Sequence, residues 1–206
     1  MMKFINFKSF FDKYSFFEIF KLSLFKIKTI VFYPNSKLIR FPFDVRGKKY
    51  INFGLGLTTG VGCRFEAYDN LKSTKSLVFG KNIQLNDYVH ITAMNNVVIG
   101  DNVLMASKIY ISDCSHGFYS GGKKDSSPNQ YPIERSYNVS EVIIEDNVWL
   151  GEFVSVLPGV KIGKGAIIGS NSVVSKNIPA NTIAVGAPAK VIKKYNFKIN
   201  KWERVK

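Results

Sequence analysis

The chain has 206 residues, of which 46% are hydrophobic and 21% are charged; these are globular proportions and exclude a disordered or fibrous chain. The formal net charge of +14 predicts attraction to anions, but no helix-turn-helix, zinc-finger or RNA-binding signature accompanies the lysines, so nucleic acid is not expected as a partner. No apolar run reaches about 18 residues and Lys8, Asp12 and Lys13 interrupt the N-terminal apolar stretch, so we expect a cytoplasmic protein with neither a spanning helix nor a signal peptide.

Residues 1–36 are expected to form an N-terminal helical extension. Aromatic side chains fall on one face at helical spacing: Phe4, Phe7, Phe10, Phe11, Tyr14 and Phe17. The pattern weakens beyond Phe17, which predicts that the helix ends or bends before Leu24. Two hypotheses stay open for residues 1–33. The helix packs on the body of the protein or on a neighbouring subunit, or it lies on the inner membrane surface through its aromatic and basic side chains.

A six-residue period organises residues 37–190. It is most regular where large apolar residues stand six apart: Ile144, Leu150, Val156, Ile162, Ile168 and Val174. An α-helix would rotate such residues around its axis, whereas short strands joined by tight turns point one large side chain inward per strand. The same step recurs upstream, and three strands per coil predict about five stacked coils. The fold class is therefore predicted as all-β, a parallel β-helix in which each coil covers the next.

A polar interruption of the repeat over 113–141 predicts an active-site loop, because loops on a rigid scaffold often carry function. It opens on SDCSHGFYSGG, which contains His116, one of two histidines. With an ordinary pKa of about 6.5, a histidine can remove a proton from a hydroxyl group. Cys114 is a rival nucleophile if its thiol ionises. His90 is expected to be solvated or to cap a turn. No zinc site is expected, since the cysteines and histidines lack ligand spacing.

The chain ends in a basic tail over residues 191–206, which follows the sequence AVGAPAK. We expect this tail to form a short helix that caps the last coil.

Three segments resemble the hexapeptide-repeat acyltransferases: IIEDNVWLGEFVSVLPGVKIGKGAIIGSNSVVSKNIPANTIAVGAPAKVIKK at 143–194, ISDCSHGFYSG at 111–121, and RGKKYINFG…LTTGVGCRFEAYD within 46–69. The likeness covers about residues 38–194 and is greatest to maltose and galactoside O-acetyltransferases and to bacterial polysaccharide O-acetyltransferases. The resemblance implies a left-handed parallel β-helix and a homotrimer with active sites between subunits. It also implies acetyl-CoA as donor and no metal.

The resemblance also carries roles to individual residues. It makes His116 the catalytic base and places Asn86 and Trp149 near the saccharide acceptor, although Asn86 equally suits a turn and Trp149 can instead pack on the next protomer. The positions that match the family's donor site are Glu152, Ser170, Ser175, Lys176, Lys190 and Lys193. Glu152 departs from the small polar residue of some relatives. Lys190 and Lys193 stand where relatives often have arginine, and each is also compatible with a solvated surface.

These observations predict an acetyl-CoA-dependent O-acetyltransferase that modifies a sugar hydroxyl of a cell-envelope polysaccharide or its precursor. Two alternatives stay open. One is N-acylation of an amino sugar or nucleotide sugar on the same scaffold, and the other is a non-catalytic trimeric β-helix that binds a partner.

Overall fold

The computed structural model describes residues 14–70 and 75–205, so the aromatic positions of the predicted N-terminal helix that precede Tyr14 lie outside the described residues. Helix α1 spans Phe16–Phe32. Ser15 begins it with a capping box: the Ser15 hydroxyl accepts a hydrogen bond from the Glu18 N–H, and the Glu18 carboxylate accepts one from the Ser15 N–H.

The prediction that the helix ends before Leu24 is wrong, because α1 continues to Phe32. Its sequence contains neither glycine nor proline, so nothing stops it before Pro34. Phe25 and Thr29 are the buried residues of the helix, and their side packs on the first coil. The Phe25 ring lies 5.8 Å from the Phe41 ring. Apolar residues also cover the opposite, exposed side, which is why the one-sided pattern weakens along the sequence.

The described residues form three mainly parallel sheets. The first sheet contains β1 (Phe43–Arg46), β3 (Cys63–Ala67), β6 (His90–Ala93), β9 (Tyr110–Ser112), β14 (Ser155–Val156) and β17 (Val173–Val174). The second contains β2 (Ile51–Asn52), β4 (Leu77–Phe79), β7 (Val97–Ile99), β12 (Val142–Ile144) and β15 (Lys161–Ile162). The third contains β5 (Gln84–Leu85), β8 (Leu104–Met105), β13 (Trp149–Leu150), β16 (Ile167–Ile168) and β18 (Thr182–Val185). The predicted all-β architecture with parallel strands is confirmed.

The chain visits the three sheets in turn, so neighbouring strands of one sheet belong to successive coils. One inward column on the first sheet consists of Phe65, Ile91, Ile111, Val156 and Val174, all fully buried and paired in register. The first sheet has six strands within the described ranges, whereas five coils were predicted. The additional strand is β1, whose side chains alternate between half-buried and exposed, so no fully buried residue within this strand marks it in the sequence.

The predicted C-terminal helix is wrong. Residues after β18 instead form β19 (Lys190–Asn196) and β20 (Lys201–Arg204), which extend the third sheet as antiparallel strands. Strand β19 satisfies backbone groups that β18 would otherwise expose at the sheet edge. Tyr195 packs against Trp202 across the hairpin, with ring centroids 5.2 Å apart. None of the helices within 14–70 and 75–205 has the length and hydropathy required to span a membrane.

Candidate active site

Residues 113–141 leave the first sheet after β9 and rejoin the second sheet at β12. Asp113, where this excursion starts, is fully buried. Its carboxylate accepts hydrogen bonds from the three backbone N–H groups of residues 94–96, at 2.7 to 2.8 Å. Its carbonyl oxygen accepts another from the Ser140 N–H at 2.8 Å. Asp113 therefore ties both ends of the loop to the preceding coil.

His116 ends strand β10 (Cys114–His116), which pairs in antiparallel fashion with β11 (Tyr137–Val139). Tyr137 faces His116 across this ribbon, with ring centroids 4.6 Å apart and planes inclined by 48°. His116 is exposed beside a groove, so a ligand can reach its ring. The ribbon thus presents a histidine whose ring is supported on one side by an aromatic neighbour.

The groove has a volume of about 730 Å³ and runs along the outer side of the first sheet. Glu66 and Tyr68 line one end, and Leu157, Pro158 and Ser175 line the other. Four coil steps separate Glu66 from Ser175, which corresponds to about 19 Å at the usual strand spacing. His116 leaves the coil about midway. A groove of this length can hold two extended ligands that meet at the histidine.

Glu66 forms a charged cluster in the wall of the groove, although it is nearly buried. Its Oε1 accepts hydrogen bonds from Arg46 at 2.8 Å and Arg64 at 2.6 Å, and its Oε2 lies 3.1 Å from Nε2 of His90. Burial raises the pKa of the Glu66 carboxyl, but the hydrogen bonds and positive charges of Arg64 and His90 outweigh it, so the pKa lies below its ordinary value. His90 therefore belongs to a network of polar contacts around the Glu66 carboxylate, in place of the solvated or capping role that was expected.

Cys114 lines the groove two residues before His116. Burial raises the pKa of its thiol, and the negative charges of Asp113 and Glu66 raise it further against the opposing hydrogen bond with Ser112. The thiol is therefore protonated at neutral pH, whereas a cysteine nucleophile needs a lowered pKa. This environment argues against the rival nucleophile hypothesis.

The acceptor residues predicted beside His116 lie elsewhere in the chain. Asn86 is exposed in a separate groove of about 410 Å³, which Lys37 and Arg40 also line. Trp149 is 48% exposed on the outer side of the third sheet, between Leu104 and Ile167 of the adjacent strands. One chain therefore does not bring either residue to His116.

The predicted donor residues are similarly divided. Ser175 lines the His116 groove, whereas the other five donor residues do not: Glu152, Ser170, Lys176, Lys190 and Lys193. Glu152 and Ser170 are exposed near the corner between the third and first sheets, where the Glu152 carbonyl accepts a hydrogen bond from the Asn171 N–H. Lys190 and Lys193 lie on β19, and Lys193 pairs with Ile183.

Sequence reasoning missed three residues that build the site: Asp113, Tyr137 and Glu66. Each has at least one partner 17 or more residues away in the sequence, and no local pattern indicates which residue that partner is. Within the described ranges, no group of three or more histidine, cysteine, aspartate or glutamate side chains could hold a metal ion.

Comparison with known proteins supports an enzyme of one family. Residues 141–176 match the family described as "Bacterial transferase hexapeptide (six repeats)". The chain is 47% identical over 176 residues to WbbJ of Escherichia coli (strain K12), whose assigned role is O-acetyl transfer in lipopolysaccharide biosynthesis; the match covers 85% of this chain and 88% of WbbJ. It is 36% identical to the galactoside O-acetyltransferase of the same strain over 57% of this chain and 53% of that protein, so it spans about half of that relative.

One solved structure supports the same family, and a second supports the fold. A galactoside acetyltransferase in complex with coenzyme A aligns with a TM-score of 0.56 and 28% identity over 73% of this chain and 68% of that one. The N-acyltransferase AntD from Bacillus cereus aligns with a TM-score of 0.63 over 80% of this chain and 84% of that one, but at 20% identity, so this likeness concerns the fold alone. Because the match to WbbJ reaches 47% identity over 88% of that protein, the chain belongs to the hexapeptide-repeat acetyltransferases.

Proposed function

We propose that this enzyme transfers the acetyl group of acetyl-CoA to a hydroxyl group of a cell-envelope polysaccharide or of its precursor. The observation that carries the proposal is the position of His116, midway along a groove that can hold a donor and an acceptor end to end. The likeness to WbbJ and to a galactoside O-acetyltransferase supports a saccharide hydroxyl as the acceptor.

In the proposed reaction, His116 accepts the proton of the sugar hydroxyl while the hydroxyl oxygen attacks the thioester carbonyl carbon. The bond from that carbon to sulfur then breaks, and His116 returns the proton to the departing thiolate. Backbone N–H groups of the cleft stabilise the negative charge that develops on the carbonyl oxygen. No covalent acyl-enzyme is needed, in keeping with the protonated thiol of Cys114.

The groove has two ends of different character, to which we assign the two substrates. Ser175 and Pro158 form the donor end, where backbone groups of an exposed strand can bind the extended arm of coenzyme A. Lys176 is exposed next to Ser175, and the lysines of β19 supply positive charge for the phosphates. Tyr68 lines the acceptor end and Tyr110 lies between it and the middle of the groove, so an aromatic ring can pack on the apolar face of a sugar.

We propose that the complete site forms between the subunits of a homotrimer of left-handed β-helices. Asn86 and Trp149 then act on the acceptor bound at His116 of a neighbouring subunit, because neither residue reaches His116 within one chain.

Mixing His116→Ala chains with Asn86→Ala chains tests this arrangement. Each mixed trimer regains one intact interface, so refolding an equal mixture is expected to restore about a quarter of the wild-type activity. If instead each site were formed within a single chain, the mixture would recover no activity.

We propose further that the enzyme works in the cytoplasm, at the inner surface of the membrane. Helix α1 exposes large apolar side chains opposite its buried side: Phe16, Phe17, Phe20, Leu24, Ile27, Ile30 and Val31. Lys21, Lys26 and Lys28 flank this surface, and the whole chain carries a net charge of +14. An apolar helix face with basic edges matches an anionic bilayer surface.

Sedimentation with phospholipid vesicles tests the membrane contact. We expect binding to vesicles that contain phosphatidylglycerol, weaker binding to pure phosphatidylcholine, and loss of binding in Phe20→Glu. Leu55→Glu is the matched control, since Leu55 is exposed to a similar extent but lies outside α1. If the wild-type protein binds neither kind of vesicle and Phe20→Glu dissociates the oligomer, the result would show that α1 packs on a neighbouring subunit.

The activity itself is tested by release of free coenzyme A during incubation with acetyl-CoA and a panel of envelope saccharides. His116→Ala is expected to lower the rate by about 10²- to 10⁴-fold while the far-ultraviolet circular dichroism stays unchanged. An unchanged rate would overturn the role of His116. Turnover with amino sugars alone would support N-acylation, and no turnover with any saccharide would support a binding protein.

A further inference from the structure

Two side chains brace the backbone of His116 from the far side of its loop. The hydroxyl of Tyr119 donates a hydrogen bond to the carbonyl oxygen of His116 at 2.6 Å. The guanidinium of Arg135 donates to that hydroxyl from Nη1 at 2.9 Å. The same guanidinium donates to the carbonyl oxygen of Gln130 from Nη2 at 2.9 Å and from Nε at 3.2 Å. Residues 128–135 are thereby connected through one phenol group to the histidine.

The brace acts at the end of the β10–β11 ribbon. His116 is the last paired residue of β10, and Gly117 follows with a φ of +95°. A Cβ atom on Gly117 would lie 2.4 Å from the Tyr119 Oη, so the short bond to His116 requires glycine at this position. The Gly117 N–H donates to the Ser136 carbonyl at 2.8 Å, which holds the other side of the peptide. The carbonyl of His116 is thus held at the point where the ribbon ends and the irregular part of the loop begins.

We propose that Tyr119 and Arg135 are positioning residues for His116. This inference rests on the proposed role of His116 as the base. They hold the His116 peptide so that its ring stays beside Tyr137 and projects into the groove. The positive charge of Arg135 polarises the phenol and strengthens its bond to the carbonyl. Neither residue is among those that line the His116 groove, so they act through His116 rather than on a substrate.

Tyr119→Phe tests the brace because it keeps the ring and removes the donor. We expect kcat to fall by about 10-fold with the KM for acetyl-CoA unchanged, since small displacements of a catalytic group reduce the rate more than binding. Arg135→Lys should give a smaller loss, because lysine keeps the charge without the planar fork. The double variant should be no slower than the worse single variant, as for two members of one network. Tyr131→Phe is the matched control, an exposed tyrosine of the same loop.

A second measurement does not depend on activity. The chain has two histidines, so ¹⁵N-histidine labelling gives two sets of ring signals, with His90 as an internal reference. In Tyr119→Phe we expect the His116 signals to shift or broaden and the His90 signals to stay in place. Altered signals without a change in kcat would reject the base role of His116 and leave the brace intact. Unchanged His116 signals in both Tyr119→Phe and Arg135→Lys would overturn the brace.

Discussion

The ring of Tyr137 lies 4.6 Å from the ring of His116, centroid to centroid, because the two residues face each other across the antiparallel ribbon of β10 and β11. This contact limits the directions in which an otherwise exposed imidazole can turn. Replacing Tyr137 with alanine removes the support, and we expect kcat to fall by about 10-fold.

Tyr137→Phe is the control for that change, because it retains the ring and should retain most of the activity. Steady-state kinetics of both variants at saturating acetyl-CoA will decide the matter. Equal losses in the two variants would show that the hydroxyl, and not the ring, supports the reaction.

Asp113 ties the active-site loop to the coil through three backbone N–H groups. In Asp113→Asn the side chain loses its charge and one acceptor oxygen, so at least one buried N–H loses its partner. We expect the free energy of unfolding to fall by about 1–3 kcal/mol, as measured by urea denaturation.

Asp125→Asn is the matched control, because this carboxylate also accepts three backbone N–H bonds, from residues 120–122, but is exposed. Water can replace its bonds, so a smaller loss of stability is expected. Similar losses at both positions would contradict the role given to burial at Asp113.

Glu66 should make stability depend on pH in the acid range. Its pKa in the folded protein lies below the unfolded value, so its contribution is fully present above the unfolded pKa of about 4.3 and disappears as the pH falls through the folded pKa. Glu66→Gln should lower the free energy of unfolding by about 1–3 kcal/mol at pH 7, because a neutral amide oxygen replaces the charged acceptor that Arg46 and Arg64 share. Denaturation curves across the acid range should show the two proteins converging. A difference that stays constant down to pH about 3 would contradict this assignment.

Cys114 should be dispensable for the chemistry even though it lines the groove. Its thiol has a raised pKa, so Cys114→Ser should keep kcat within about twofold of wild type. Alkylation by iodoacetamide should be slow at pH 7 and should accelerate as the pH rises. Complete loss of activity in Cys114→Ser with a normal circular dichroism spectrum would restore the nucleophile hypothesis.

The six-residue period by itself determined the mainly parallel β architecture, because only short strands with tight corners place a large apolar residue inward at every sixth position. The same local information located the one catalytic candidate, since His116 stands in a polar interruption between two regular parts of the repeat. Both are properties of residues close together in the chain.

Only the tertiary structure decided which residues meet. Asp113 holds residues 94–96, Glu66 binds Arg46 and His90 of neighbouring coils, and Tyr137 supports His116 from the far end of the loop. The basic tail also became a β-hairpin, because the edge of the third sheet offers it backbone partners that outweigh a local preference for helix. In a coiled chain, neighbours in space are about one coil or one loop apart in sequence. No local pattern encodes such pairings.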